Sequence, residues 1–210
     1  MIKFGRTMTH KTHLIVALVF DDYETLDLHG PIEMLGHAPN TKILIVSEKE
    51  MAKSSQGTML YCNSQIENTI PCQLFMTVGG LGTRTEVNNP KVINWIKSQT
   101  AVSEKVFSVC TGSALLAKAG VLDGVSATTN KLAYQWVTSL NPQVLWQAKA
   151  RWVNDARFLT SSGVSAGIDA SLAYIAETFG YDEAKRIEAI TEYHWNDDAN
   201  NDPYACLTNN

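Results

Sequence analysis

The chain has 210 residues, 45% hydrophobic and 18% charged, enough to bury a sizeable core in one globular unit and unlike the composition of disordered or fibrous chains. A formal net charge of -4 with no Lys/Arg cluster argues against a nucleic-acid surface or a basic membrane-binding face, and leaves small molecules as the expected partners. The apolar run LIVALVF is too short for a signal peptide or a membrane span, and Cys62, Cys72, Cys110 and Cys206 show neither a CxxC pair nor metal-ligand spacing, so a reduced, cytoplasmic compartment without structural metal is expected.

In chain order, residues 1–11 read as an N-terminal extension, residues 12–190 as one domain and residues 191–210 as a tail. Residues 13–20 form a nearly continuous apolar run, the pattern of a strand covered on both faces. The segment YETLDLHG then turns at residues 27–30 and leads into a helix over residues 31–36, which places Asp27 at the carboxyl end of the first strand, where open α/β sheets put their sites. Taken alone, Asp27 fits an ordinary helix cap equally well. Residues 42–46 and 74–78 repeat the buried-strand pattern, with hairpin or edge character at residues 56–63. After the third buried strand, TVGGLGTR carries Gly79, Gly80 and Gly82, so the backbone can turn sharply and aim an N–H at a neighbour. Its spacing is wrong for a dinucleotide fingerprint, and no cofactor is expected.

Residues 90–98 begin a helix with proline at a permitted first-turn position, and residues 106–109 give the fourth buried strand. Helices are expected at residues 113–119, 131–140, 167–179 and 182–190, with hairpin or edge strands over residues 144–159. Strands alternating with helices predict a three-layer αβα sandwich on a mostly parallel sheet, of the flavodoxin-like kind. The segment SSGVSAGIDASLA enters its helix through small residues, leaving N–H groups free near a pocket. Asp197, Asp198 and Asp202 read as part of a solvated end. The histidines lack metal-ligand spacing, and only His29, two positions after Asp27, is placed to line a pocket.

The most informative stretch is KVFSVCTG, residues 105–112, in which a buried strand ends on Cys110 and passes through Gly112 into a helix. A cysteine at such an elbow sits in the positive field of the helix N-terminus, which favours the nucleophilic thiolate. The same pattern also fits a small structural cysteine packed where strand meets helix.

The ordered set LDLHGPIEMLG, FMTVGGLG, FSVCTGSALLAKAGVLDG, ATTN and FLTSSGVSAGIDASLAYIAE resembles the ThiJ/PfpI superfamily, whose fold is that of class I glutamine amidotransferase domains, over nearly the whole chain after Thr12. Within it, the segments are most similar to isonitrile hydratases and to the sensing domains of AraC-type regulators. The resemblance implies Cys110 as nucleophile, Asp27 as the acid contacting its sulfur, Thr111 as the residue after the nucleophile, Gly80 with Gly79 as the facing loop, Val164 and Ser165 as substrate-binding residues, and a homodimer. Three departures narrow the chemistry. Thr111 stands where peptidase-like and amidase-like members carry histidine, Asn130 where glyoxalase- and deglycase-like members do, and His194 is followed by Trp195 and Asn196, not by the His-x-Glu pair of a glutaminase. No helix-turn-helix pattern follows residue 190, so a complete DNA-binding regulator is not expected. The expected activity is isonitrile hydration by Cys110 with Asp27 and Thr111; a non-catalytic ligand-binding protein, a redox sensor built on an oxidation-prone Cys110, and a glyoxalase or deglycase are the alternatives.

Overall fold

The structure, a computed structural model, describes residues 12–209, so the expected extension at residues 1–11 lies outside the described residues. The chain order is β1 (His13–Leu18), α1 (Thr25–Gly36), β2 (Thr41–Ser47), β3 (Met51–Lys53), β4 (Met59–Tyr61), β5 (Ser64–Gln65), β6 (Cys72–Thr77), α2 (Thr83–Glu86), α3 (Pro90–Val102), β7 (Ser103–Ser108) and α4 (Gly112–Lys118). It continues through β8 (Ser126–Ala127), α5 (Tyr134–Ser139), β9 (Leu145–Trp146), β10 (Trp152–Asp155), β11 (Phe158–Ser161), α6 (Ala166–Phe179), α7 (Tyr181–Ile190) and a closing 3-10 turn at Ala205–Asn209.

The central sheet has seven strands in the order β10-β11-β7-β6-β1-β2-β5, and only the β10–β11 pairing is antiparallel. From β1 the chain steps through α1 to β2 in one direction, and from β6 through α3 to β7 in the other. Because such crossovers are right-handed, α1 and α3 fall on opposite faces of the sheet. α6 and α7 join α1 on its face, while α2, α4 and α5 join α3 on the other, giving the three-layer α/β sandwich. Buried strand residues such as Ile15, Val16, Phe75, Met76, Val106 and Phe107 form the core between the layers. Close packing of α1 on α6 depends on Gly30, where a Cβ would stand 2.6 Å from Ile168 Cγ1. Among the described residues no helix is long and apolar enough to cross a membrane.

Three local expectations need correction. Asp27 lies inside α1, not in a turn before a helix starting at Pro31; Pro31 is interior and has no N–H to give the Asp27 carbonyl. The expected edge hairpin at residues 144–159 contains β11, an inner strand parallel to β7 and buried along its length, which its polar FLTS sequence conceals. The end of the chain is not simply solvated. Asp197 and Asp198 are exposed, but Asp202 is buried between Lys131 and Arg151, and Trp195 packs into the core.

Candidate active site

The strand order reverses between β1 and β6, which makes the carboxyl ends of these neighbouring strands and of β7 a topological switch point, the usual location of a ligand crevice in open α/β sheets. Asp27 enters from α1 after β1, Gly79 and Gly80 follow β6, and Cys110 follows β7. Residues far apart in sequence therefore meet because their strands lie side by side.

Cys110 occupies the left-handed region at φ 57°. Its N–H donates to Ser162 O at 3.1 Å, and its carbonyl accepts from Thr129 Oγ1 at 3.0 Å and Ser113 Oγ at 3.2 Å, so the elbow is held from three sides. Gly112 lets the turn close against β6, since a Cβ there would lie 2.6 Å from Thr77 O. Across the cleft Val164 also has a positive φ, 43°, a rare state for a β-branched residue. Such conformations cost about 1–3 kcal/mol each and persist where the surroundings over-determine them. Here the elbow and the backbone at Val164 bring two amides, those of Thr111 and Val164, near enough to the Cys110 sulfur to pull its pKa down.

Asp27 is fully buried, with Oδ2 accepting the Gly79 N–H at 2.9 Å. Its Oδ1 has no well-aligned hydrogen-bond partner, and the Cys110 thiol lies beside the carboxyl, close enough for each group to shift the other's pKa. Burial pushes the Asp27 pKa up to about 7, against the opposing pull of the Gly79 N–H and the thiol. Burial, and then the Asp27 charge, hold the Cys110 thiol well above its ordinary value despite the two amides at the sulfur. The expectation of a resting, low-pKa thiolate is therefore corrected: desolvation at a residue 6% exposed outweighs the helix N-terminus.

The glycine loop aims its amides at side chains of the site. Gly79 gives its N–H to Asp27, and Gly80 gives its N–H to Thr111 Oγ1 at 3.1 Å, so these amides brace catalytic candidates and do not face the sulfur. Gly79 admits no side chain, since a Cβ would stand 2.6–2.7 Å from Thr111 N, Asp27 Oδ2 and Thr111 Oγ1. Thr83 Oγ1 donates to Gly80 O at 2.7 Å and also lies 3.1 Å from Thr111 Oγ1. The Thr111 hydroxyl donates to Gly80 O at 3.3 Å, so its hydrogen is engaged within this loop and its oxygen is what it can offer the cleft. The amides entering α6 are likewise not free: those of Ala166, Gly167 and Ile168 bond to Gly163, Val164 and Ser165 carbonyls.

Cys110, Thr111, Gly80 and Val164 line one cleft of about 320 Å³, with Glu24 and Arg84 at its charged side. Arg84 is held with its guanidinium 4.5 Å above the Trp136 ring. A larger groove of about 770 Å³ around Trp152 and Lys149 contains none of the candidate residues, so volume alone does not mark the chemistry.

The sequence model of the DJ-1/PfpI family matches residues 13–177. The chain belongs to the DJ-1/PfpI family. An isonitrile hydratase of Pseudomonas putida is 31% identical over 177 residues, covering 84% of this chain and 76% of that protein. The HTH-type transcriptional regulator GbdR of Pseudomonas aeruginosa is 26% identical over 140 residues, and the match takes in 67% of this chain but only 38% of the regulator. Among solved structures, a ThiJ/PfpI family protein from Pseudomonas syringae superposes with a TM-score of 0.81 at 26% identity, over 87% of this chain and 75% of that one. Oxidized DJ-1 of Toxoplasma gondii, at 19% identity and a TM-score of 0.73 over 88% of this chain and 100% of that one, shares the fold.

In this DJ-1/PfpI chain the structure brings Asp27, Gly79, Gly80, Cys110, Thr111 and Val164 together, and leaves Ser165 outside the cysteine cleft, beside Arg151 at 3.5 Å. His29 turns away, its Nδ1 against Thr25 O at 2.9 Å, and among the described residues no histidine lines the cleft. The sequence reading missed Thr83, Thr129 and Ser162, which hold the site through hydroxyl and carbonyl contacts, and Leu132 on its wall. No spacing rule in the sequence singles out such residues; only strand adjacency does.

Proposed function

We propose that this DJ-1/PfpI protein hydrates isonitriles to N-substituted formamides, with Cys110 as nucleophile and Asp27 as its proton carrier. The observation that carries the reading is a buried carboxyl against a buried thiol in a cleft without histidine, where burial of the pair raises both pKa values. Such a pair holds one proton that can sit on either partner. As sulfur attacks the terminal carbon of R–NC, Asp27 takes the thiol proton and returns it to that carbon, giving the thioimidate Cys–S–CH=N–R. Asp27, again a carboxylate, then takes a proton from water as its oxygen adds to the same carbon, and passes that proton to nitrogen. Collapse of Cys–S–CH(OH)–NH–R breaks the C–S bond, the hydroxyl proton returns to sulfur, and R–NH–CHO leaves; the sum is one isonitrile and one water. The Thr111 hydroxyl oxygen, on the cleft wall, accepts from the water and orients it. The amides of Thr111 and Val164 stabilise charge on the departing sulfur.

The likeness to an isonitrile hydratase supports this reading, and the site supports the same chemistry independently. A proton carrier is required because the thiol is un-ionised at neutral pH. A glyoxalase or deglycase route lacks its histidine base, since Asn130 is occupied in capping Ala133 N at 2.9 Å. Ready oxidation of Cys110 is disfavoured by the raised thiol pKa. The test is formamide formation from a panel of alkyl and aryl isonitriles by wild type and Cys110→Ala, with methylglyoxal consumption followed on the same preparations. Formamide lost in the alanine variant upholds the reading; no formamide from any isonitrile ends it.

A further inference from the structure

A second cavity adjoins the Cys110 cleft at Val164. Asn130, Leu132 and Val164 line both the cleft and this second lobe of about 320 Å³, whose far wall is Tyr204 and Leu207 of the C-terminal segment. Leu132 and Tyr204 leave 68% and 59% of their surfaces exposed, so large apolar side chains frame this lobe without being buried in the core. Its one cation is already engaged: Lys131 Nζ donates to Ala150 O at 2.6 Å and Thr128 Oγ1 at 2.8 Å and faces Asp202. The lobe is thus suited to an apolar group, whereas Glu24 and Arg84 make the other end of the cleft polar.

An isonitrile is linear along C, N and the first atom of R, so the substituent points straight away from the carbon that sulfur attacks. We propose that the second lobe receives this N-substituent, and that Leu207 and Tyr204 determine which substituents the protein accepts. The inference rests on the hydratase reading above and narrows it to isonitriles with apolar alkyl or aryl groups. The wall is fixed in place because Asp202, two residues before Tyr204, is buried between Lys131 and Arg151 and accepts the Tyr204 N–H at 2.9 Å. A cavity of this size suits a cyclohexyl or aryl group.

The experiment compares methyl and cyclohexyl isonitrile as substrates for wild type, Leu207→Trp and Leu207→Ala. Alongside it, N-cyclohexylformamide is titrated into each protein as a ligand that needs no turnover. Filling the lobe with Trp lowers the cyclohexyl-to-methyl ratio of kcat/KM at least tenfold, and Leu207→Ala moves that ratio toward larger substituents. An unchanged ratio in both variants overturns the proposal. If wild type hydrates neither isonitrile, the hydratase reading has failed and the titration decides the lobe alone. Affinity for N-cyclohexylformamide weakened tenfold by Leu207→Trp then upholds an apolar ligand site, and equal or absent binding overturns it. Should Leu207→Trp fail to fold, Leu207→Ala carries the same comparison with the opposite sign.

Discussion

Asp27 lies against Cys110 in a buried pair whose pKa values are both raised, the carboxyl to about 7 and the thiol well above its ordinary value. The reactive form carries one proton on the pair. Below about pH 7 a second proton binds and removes the base, whereas the thiol gives up its proton only in strong alkali. The expected profile of kcat/KM for isonitrile hydration falls tenfold per unit below pH 7 and is flat from there to at least pH 9. A profile still at its maximum at pH 5.5 would mean that a resting thiolate attacks unaided.

The same burial has a stability cost with a definite sign. The folded pKa of Asp27 is raised from 3.8 to about 7, so the folded state binds more protons across that window and wild-type stability declines as pH rises through it, then levels off. The ceiling on this loss is about 4 kcal/mol. Asp27→Asn cannot ionise and lacks the decline. Its Tm relative to wild type is therefore higher at pH 8 than at pH 4.5 by several degrees, while hydration falls about 10² to 10⁴-fold. Equal Tm differences at the two pH values would refute the linkage.

Gly79 is the tightest point of the site, with backbone and side chain of Thr111 and the Asp27 carboxyl all within 2.7 Å of where a Cβ would stand. None of these is a flexible side-chain end that can swing aside. Gly79→Ala should lose at least 100-fold in kcat/KM and about 1–3 kcal/mol in stability. Gly36→Ala, at the exposed end of α1 with only Ile43 Cδ1 near, at 3.9 Å, is the control for a glycine substitution as such and should keep its activity. Full activity in Gly79→Ala would show that the Asp27 position is not fixed by this loop.

The layout of the sheet was legible because its parallel strands are buried on both faces and so read as unbroken apolar runs, as in LIVALVF before Asp27 and KVFSV before Cys110. β11 was not, because FLTS buries two polar residues whose needs are met by pairing and by contacts such as Thr160 Oγ1 accepting the Thr128 N–H at 2.8 Å. The cysteine elbow could be placed from its strand, glycine and helix in sequence. The direction of its pKa could not, because that depends on how much of the sulfur is desolvated, which only the assembled layers determine. Nor could the identity of the amides at the sulfur be read: Val164 reaches it through a positive φ that no residue-type rule would assign to a valine.

The C-terminal segment offers the sharpest contrast between a pattern and its packing. In sequence, NDDANNDP is an acidic, polar end; in the fold, Asp202 is 3% exposed and lies 4.0 Å from both Lys131 Nζ and Arg151 Nη1, while Arg151 also grips Asp169 at 2.5 Å. Asp169 in turn accepts from Tyr193 Oη and Asn196 N, both at 3.0 Å, tying the segment back to α6. Two buried cations are thus balanced by two buried carboxylates. Removing one leaves an uncompensated charge, which costs about 3–5 kcal/mol, more than the pair itself contributes. Asp202→Asn should therefore lower Tm by roughly 10 °C and release the C-terminal segment to limited proteolysis. Asp197→Asn and Asp198→Asn, at exposed positions, should stay within about 0.5 kcal/mol of wild type. Because Asp202 raises the Lys131 pKa against the burial that brings it down to about 8, its loss lowers that pKa further, and the Asp202→Asn defect should shrink as pH rises toward 8 and level off above it, where Lys131 is neutral in both folded proteins. A defect of the same size at pH 6 and pH 9.5 would mean that packing of the segment, and not the balance of buried charge, holds it in place.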